Sequence, residues 1–440
     1  MNKLKSFLIV FFLVLPAFAG PAQKPEKHPG FYMDSDENVD KINLPFYFWF
    51  LYKTLFPIKT APASIENYFK TQNHYFGKPG SETVTISRAK IVAVGDIMVE
   101  TKMTRQNSPH LFDDISREIS SADIAFGNLE GPAVPNRKVS TFPKYNCRAE
   151  LVQFYKEQGF DVVSTGNNHC LDQGPDGLIA TLDYLDQLGI RHTGTARTLE
   201  ERDQDIPIMD ANGVKVAFIS YTYGVNGRNI PKDKPWSVNL VDFNRIKGDP
   251  DLSLIKKDIQ TARKKGAEVV IVSPHWGLEY EFYPTERIIS RGHQIIEMGA
   301  DIILGHHPHN LQPMEKYIPK NPDRVGLPET FIVYSLSNFI PDQPQLEFRT
   351  SVVLGIVLET ANSASKKQIR ISKIELTPIF FYSGKEYRLI RIDRALAQNN
   401  NPEYSFLKPK DRKHLEQAKQ LIQDLFLPGN ASIESFLPQP

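Results

Sequence analysis

The chain is poor in cysteine: Cys147 and Cys170 are the only two among 440 residues. At most one disulfide can form, so bridges do not build this fold; the two thiols either pair in an oxidising compartment or stay free. Neither sign of charge is in excess. Lysine and arginine total 52 against 51 aspartates and glutamates, so net charge gives no argument for nucleic acid or an anionic surface as partner. There is no internal repeat, no low-complexity tract and no long charge block. The unbroken apolar run Phe7–Leu15 is too short to span a bilayer comfortably. Hydrophobic content, 41%, is that of a soluble globular protein, and the length allows one large core with appendages or two domains.

What is present begins with a targeting segment. Lys3 and Lys5 precede Phe7–Leu15, and Pro16-Ala17-Phe18-Ala19 places small residues at the A-x-A positions before Gly20. Residues 1–19 read as the signal peptide of an exported protein, whether periplasmic, in the cell envelope or secreted; a retained N-terminal anchor is the alternative. Residues 20–87 read as a linker and an aromatic-rich arm, with Phe46, Tyr47, Phe48, Trp49, Phe50, Leu51, Tyr52 and Phe56 between Pro45 and Pro57. These rings either lie on the main domain, sit at membrane headgroup depth, or meet a partner protein.

The main domain is expected over residues 88–390. Lys90–Gly95, Asp123–Phe126, Phe160–Ser164, Val214–Ser220, Val269–Val272, Ile302–Leu304 and Phe331–Tyr334 read as buried strands. Ala149–Gln158, Gly177–Leu188 and Leu252–Lys265 read as helices. The alternation predicts an α/β fold with helices on both sheet faces. In open α/β sheets, ligands sit just past the carboxyl ends of the strands. Here those ends carry Asp96, then Asn128 and Glu130, then Asn168 and His169, then His275, then His307 and His309. Each alone is an ordinary turn residue. Five apolar strands all ending in oxygen or imidazole donors predict a site for one or two divalent metal ions, of the manganese, iron, zinc or magnesium class. Neutral imidazole is the commonest metal-binding side chain, and Pro308 stiffens the turn so that His307 and His309 reach one small volume.

Six ordered motifs surround these residues: Gly95-Asp96-Ile97-Met98, Gly127-Asn128-Leu129-Glu130-Gly131, Asn167-Asn168-His169-Cys170-Leu171-Asp172, His275-Trp276-Gly277-Leu278-Glu279-Tyr280, Gly305-His306-His307-Pro308-His309 and Tyr334-Ser335-Leu336-Ser337-Asn338-Phe339. From about Arg88 to Ile340 they resemble the CapA family of bacterial capsule-synthesis, poly-γ-glutamate-associated proteins. The resemblance implies the calcineurin-like metallophosphoesterase sandwich: two mixed sheets packed face to face and flanked by helices. It implies that Ser351–Glu359 and Ile369–Phe381 belong to the second sheet. It further implies metal ligands at Asp96, Asn168, His275, His307 and His309, with Asn128 in the place of a bridging aspartate. A neutral amide bridges cations poorly, so Glu130 reaches in instead. Met98 stands where the family has a histidine, so that metal position loses a ligand. Ser337 replaces a usual glycine, His306 is expected to point elsewhere, and His169 resembles the histidine that protonates the leaving oxygen.

Other residues have two readings each. Lys144 and Arg148 either hold an anionic substrate or are ordinary surface charge. Trp276 either walls the site or stacks on a substrate, or simply packs. Glu279 and Glu281 are either acid–base groups or members of a solvated loop. Asp172 either orients His169 or caps a turn. Residues 391–440 read as a C-terminal helical tail, with Leu415, Ala418, Leu421, Ile422 and Leu425 as the apolar face of a helix at about Lys410–Leu425. Two functions follow. One is a metal-dependent hydrolase of the cell envelope that cuts a phosphoester or a related ester or amide bond. The other, implied more directly by the resemblance, is a non-catalytic component of capsule or poly-γ-glutamate synthesis or export, which binds an anionic polymer beside membrane-bound synthesis components.

Overall fold

A computed structural model describes residues 52–76, 85–362, 367–397, 402–427 and 432–438. The signal segment, the linker and the rings from Phe46 to Leu51 lie outside the described residues. The strands are β1 (Thr85–Ile97), β2 (Ile124–Leu129), β3 (Val162–Ser164), β4 (Arg191–Thr193), β5 (Ile208–Ala211), β6 (Val214–Thr222), β7 (Val269–His275), β8 (Ile302–Leu304), β9 (Leu311–Tyr317), β10 (Thr330–Leu336), β11 (Asn338–Ile340), β12 (Thr350–Asn362), β13 (Lys367–Ser383) and β14 (Tyr387–Arg391). They form two mixed sheets. One runs β14-β13-β12-β1-β2-β3-β4, with β11 also paired to β1; the other runs β5-β6-β7-β8-β10-β9.

The sheets pack face to face because their strands alternate. In β1, Ile91 and Ala93 point into the cluster shared by both sheets, while Val92 and Val94 point outward. Phe126 of one sheet stacks on Phe218 of the other, with ring centroids 5.5 Å apart. Helices cover both outer faces. Leu151, Val152, Leu178 and Leu182 of Ala149–Glu157 (α1) and Gly174–Gln187 (α2) cover the first sheet. Ile255, Ile259, Ile295 and Ile296 of Ser253–Lys264 (α3) and Glu286–Glu297 (α4) cover the second. Strands buried on both faces read as unbroken apolar runs, which is why they were legible.

Two expectations need correction. Ser351–Glu359 and Ile369–Phe381 lie in β12 and β13, which extend the sheet of β1 rather than the sheet of β6 to β10. The cause is register: β1 is long enough to pair antiparallel with β12 from Thr85 to Ala93 on its edge away from β2. His306 does not point elsewhere, as described below. The helix expected at Lys410–Leu425 is Pro409–Phe426 (α5), and its Leu415, Ala418, Ile422 and Phe426 enter the cluster between the sheets. Cys147 and Cys170 are buried free thiols, and burial pushes the Cys147 thiol up to about 12. Among the described residues, no helix is long and apolar enough to cross a membrane.

Candidate metal centre

The strand ends of both sheets converge. The first sheet brings Asp96 on β1 and Asn128 on β2, which pair directly across the ladder. Glu130 follows β2, and Asn168 and His169 follow β3. The second sheet brings His275 at the end of β7, and His306, His307 and His309 after β8. Glycine makes the approach possible. A Cβ on Gly95 would lie 2.0 Å from the Ser337 carbonyl oxygen, and one on Gly305 would lie 2.0 Å from that of Tyr334.

Asp96 is fully buried at the centre. Its Oδ1 accepts from Asn128 Nδ2 at 2.8 Å and lies 2.8 Å from His306 Nδ1. Its Oδ2 accepts from the His307 backbone N–H at 3.2 Å and lies 3.5 Å from His309 Nδ1. His275 Nε2 sits 3.0 Å from Asn168 Oδ1 and 3.7 Å from Glu130 Oε1. His309 Nε2 lies 3.8 Å from Glu130 Oε1 and 3.9 Å from Glu279 Oε1. Two trios therefore gather ligand atoms within 4.8 Å of one another: Asp96, Glu130 and His309, and Glu279, His307 and His309.

The His-Pro-His turn is strained. His307 has φ 100° and His309 φ 60°, and Ser337 beside them has φ 62°. Non-glycine residues hold such angles at about 1–3 kcal/mol each, and only where their surroundings fix them. Here Ser337 Oγ and Asn338 Nδ2 both donate to the His309 carbonyl, and Asn338 Oδ1 lies 3.0 Å from His309 Nδ1. The left-handed angle at Ser337 accounts for the glycine usual in that motif.

The donor set fits a divalent cation. Both carboxylate oxygens of Glu130, His306 Nε2 and His307 Nδ1 are buried without a hydrogen-bond partner. Orphaned buried polar atoms are costly and rare, and two of the residues that carry them, Glu130 and His307, belong to the ligand trios. Electrostatics agree. Burial opposes ionisation of Asp96, but hydrogen bonds from His306 and His309 outweigh it and hold the carboxyl well below the usual range. Burial, then the Asp96 charge, pushes Glu130 well above it. Burial also holds His275 and His307 well below the ordinary imidazole value, in the neutral form that binds metals. His309 is opposite: burial would lower it, but Glu130, Asp96 and Glu279 raise it to about 10.

Beside this cluster stands a dyad. His169 Nδ1 lies 2.7 Å from Asp172 Oδ2, and the Tyr145 ring meets the imidazole edge to face at 4.3 Å. Asp172 Oδ2 also accepts from the Tyr145 backbone N–H at 2.8 Å, so it orients His169 and fastens a turn. Asn226, from the loop after β6, brings its Nδ2 within 3.3 Å of the His169 ring and accepts from Asn168 Nδ2 at 3.2 Å.

The seven expected ligands Asp96, Asn128, Glu130, Asn168, His275, His307 and His309 are thus brought together, with His169 adjacent. Other expected residues are not. Trp276 is fully buried, donates its indole N–H to the Tyr334 carbonyl at 3.0 Å and stacks on that ring, leaving no face for a substrate. Arg148 spends its guanidinium on the carbonyls of Met103 and Thr101, at 3.0 and 3.1 Å. Lys144 is exposed on the loop that carries Tyr145. Met98 lies in the apolar cluster behind β1. Glu281 is buried against Lys53 rather than solvated. Glu279, read from the sequence as an acid–base group or part of a solvated loop, instead joins a ligand trio with His307 and His309. The sequence reading passed over Asn226, which no spacing connects to the strand ends.

Residues 90–343, more than half of the chain, match the family described as bacterial capsule synthesis protein PGA_cap. The capsule biosynthesis protein CapA of Bacillus anthracis is 31% identical over 284 residues, which cover 62% of this chain and 64% of that protein. The PGA biosynthesis protein CapA of Bacillus subtilis is 29% identical over 293 residues, covering 65% of this chain and 70% of that protein. A probable polyglutamine synthesis accessory protein of Mycobacterium tuberculosis is 26% identical over 167 residues, 36% of this chain and 41% of that protein. The match thus spans less than two thirds of the B. anthracis relative. The family match over residues 90–343 spans the strand-end residues from Asp96 to His309, and by it the chain belongs to the PGA_cap family of bacterial capsule synthesis proteins.

Proposed function

We propose that this protein is an exported, metal-dependent hydrolase of capsule or poly-γ-glutamate synthesis, acting on an ester bond of an anionic substrate. The observation that carries the reading is the His169–Asp172 dyad, joined through Asn226 to Asn168 of a cluster in which both buried carboxylate oxygens of Glu130 lack a hydrogen bond. The names of the Bacillus relatives support the capsule role, and the basic and apolar start of the chain supports export.

A divalent cation held by Asp96, Glu130, His307 and His309 would polarise an ester oxygen and lower the pKa of a water molecule. The chain's own residues supply the rest. Asp96 brings a fixed negative charge, kept ionised by its imidazole neighbours. With Asp172 accepting from Nδ1–H of His169, Nε2 is the nitrogen through which the imidazolium form would pass a proton to the departing oxygen, returning to the neutral ring. Asn168 and Asn226 fix the ring's approach through the amide that lies against it.

The test is metal analysis of the purified protein, with turnover of a generic phosphodiester and a phosphomonoester across manganese, iron, zinc and magnesium. Turnover that needs the cation and falls in His169→Ala is expected. No turnover with any cation, together with cation-dependent binding of an anionic polymer, would replace the hydrolase by a binding role in the same synthesis.

A further inference from the structure

Among the described residues ahead of β1, Lys53 and Ile58 meet the loop that carries Glu279. Ile58 pairs as a short parallel bridge with Glu281: its N–H donates to the Tyr280 carbonyl, and its carbonyl accepts from the Phe282 N–H, both at 2.9 Å. Lys53 Nζ lies 3.1 Å from Glu281 Oε1, and both side chains are almost wholly buried. On the loop's other side, Tyr280 N–H donates to the Pro308 carbonyl at 2.9 Å, inside the His-Pro-His turn. Gln312 Nε2 donates to the Glu281 carbonyl at 2.7 Å. Tyr280 itself is left-handed, at φ 65°. The loop is thus clamped between the arm and the turn, and it carries Glu279, whose Oε1 lies 3.9 Å from His309 Nε2.

We propose that the arm segment 52–60 is part of the metal centre, with Lys53 a positioning residue that acts through Glu281 to hold Glu279 within reach of a cation shared with His307 and His309. The inference rests on the reading that this centre binds a cation. An ammonium group cannot ligate a cation and would repel one, so Lys53 serves by neutralising Glu281 two residues from the donor. Without Lys53, the buried Glu281 carboxylate is left unpaired and swings toward water, carrying the Tyr280 peptide away from Ile58 and Glu279 away from His309. Partners of this kind, one step behind a ligand, typically change metal affinity about 10–100-fold.

The experiment is titration of full-length protein with Zn²⁺ and separately with Mn²⁺, read by calorimetry and by bound-metal content, with hydrogen exchange followed over residues 278–282. Glu279→Gln and Lys53→Met should each weaken binding by about tenfold or more, and Lys53→Met should speed exchange in the loop. The double variant Lys53→Met with Glu281→Met removes the unpaired charge while keeping the packing, and should recover affinity. General unfolding would give no such recovery. Wild-type affinity in Lys53→Met beside a weakened Glu279→Gln would overturn the role of the arm and leave the metal centre standing. A wild-type protein that binds neither ion would overturn the metal reading and this inference with it.

Discussion

His306 Nδ1 lies 2.8 Å from Asp96 Oδ1, while its Nε2 is buried without a partner. The motif alone sets His306 aside in favour of His307 and His309, yet its ring is held on the aspartate at the centre of the cluster. His306→Ala should therefore lower metal affinity by about 10–100-fold, the usual effect of removing a ligand's hydrogen-bond partner. His307→Ala and His309→Ala should lower it at least as far. Metal content after gel filtration measures all three, and a His306→Ala protein that keeps its full complement would remove His306 from the centre.

His169 touches no member of either ligand trio through the hydrogen bonds of its ring; its partners are Asp172 and Asn226. His169→Ala should keep its metal and lose about a hundred- to ten-thousand-fold in turnover. Esters whose leaving groups need no proton should regain much of that loss. Steady-state rates across a leaving-group series decide it, and an equal loss on every ester would argue against proton donation.

Metal affinity should rise with pH. His309, raised from 6.5 to about 10, must lose its proton before it ligates, and Glu130, raised by burial, must ionise as well. Between about pH 6.5 and 10 each unit should strengthen binding up to about tenfold for one proton released. Calorimetry in buffers of different ionisation enthalpy counts that proton. In the metal-free protein the signs differ by group. The depressed Asp96 contributes stability that is present above about pH 4 and lost as pH falls through its folded value. The raised His309 contributes stability fully present below about pH 6.5 and lost as pH rises through about 10. A metal affinity flat across this range would show that His309 is not a ligand.

Gly305→Ala should destabilise the fold and the site together. The added methyl would meet the Tyr334 carbonyl at 2.0 Å and the Trp276 indole nitrogen at 2.8 Å. Backbone cannot turn aside as a side chain can, so the loss should reach or exceed the about 1–3 kcal/mol of ordinary overpacking. Thermal melts measure it, with Gly224→Ala as a comparison that, like Gly305, is not left-handed but has open space at its Cβ.

The fold was legible where strands are buried on both faces, as in Lys90–Gly95 and Val269–Val272. It was less so at the sheet edges. Strand β5 escaped although Asn212-Gly213, at φ 45° and 84°, is the turn that joins it to β6. Strand β9 carries Pro313, which argues against a strand except at an edge, and β9 is an edge. In the site, strand-end residues were found because chain direction places them at one end of the sheets. Asn226 was not, and Glu279 was singled out for other roles, because loop conformation alone carries them there. Trp276 takes the packing alternative for a related reason: its neighbour His275 ends the strand facing the cluster, and alternation along β7 then sends the indole into the outer layer with Phe243 and Tyr334.

Asp96, Asn128 and Asn168 come from one sheet, and His275, His307 and His309 from the other. An ion gripped by both sets would fasten the sandwich like a rivet through two plates. Saturating the protein at a hundredfold excess over Kd would then add about 2.7 kcal/mol to the seam between the plates. The relation also runs backwards. Trimming the stacked pair Phe126 and Phe218, which lies in the seam and offers no ligand, would let the plates slide. The slip would register as a weaker grip on the ion, making metal affinity a gauge of how truly the two halves are aligned.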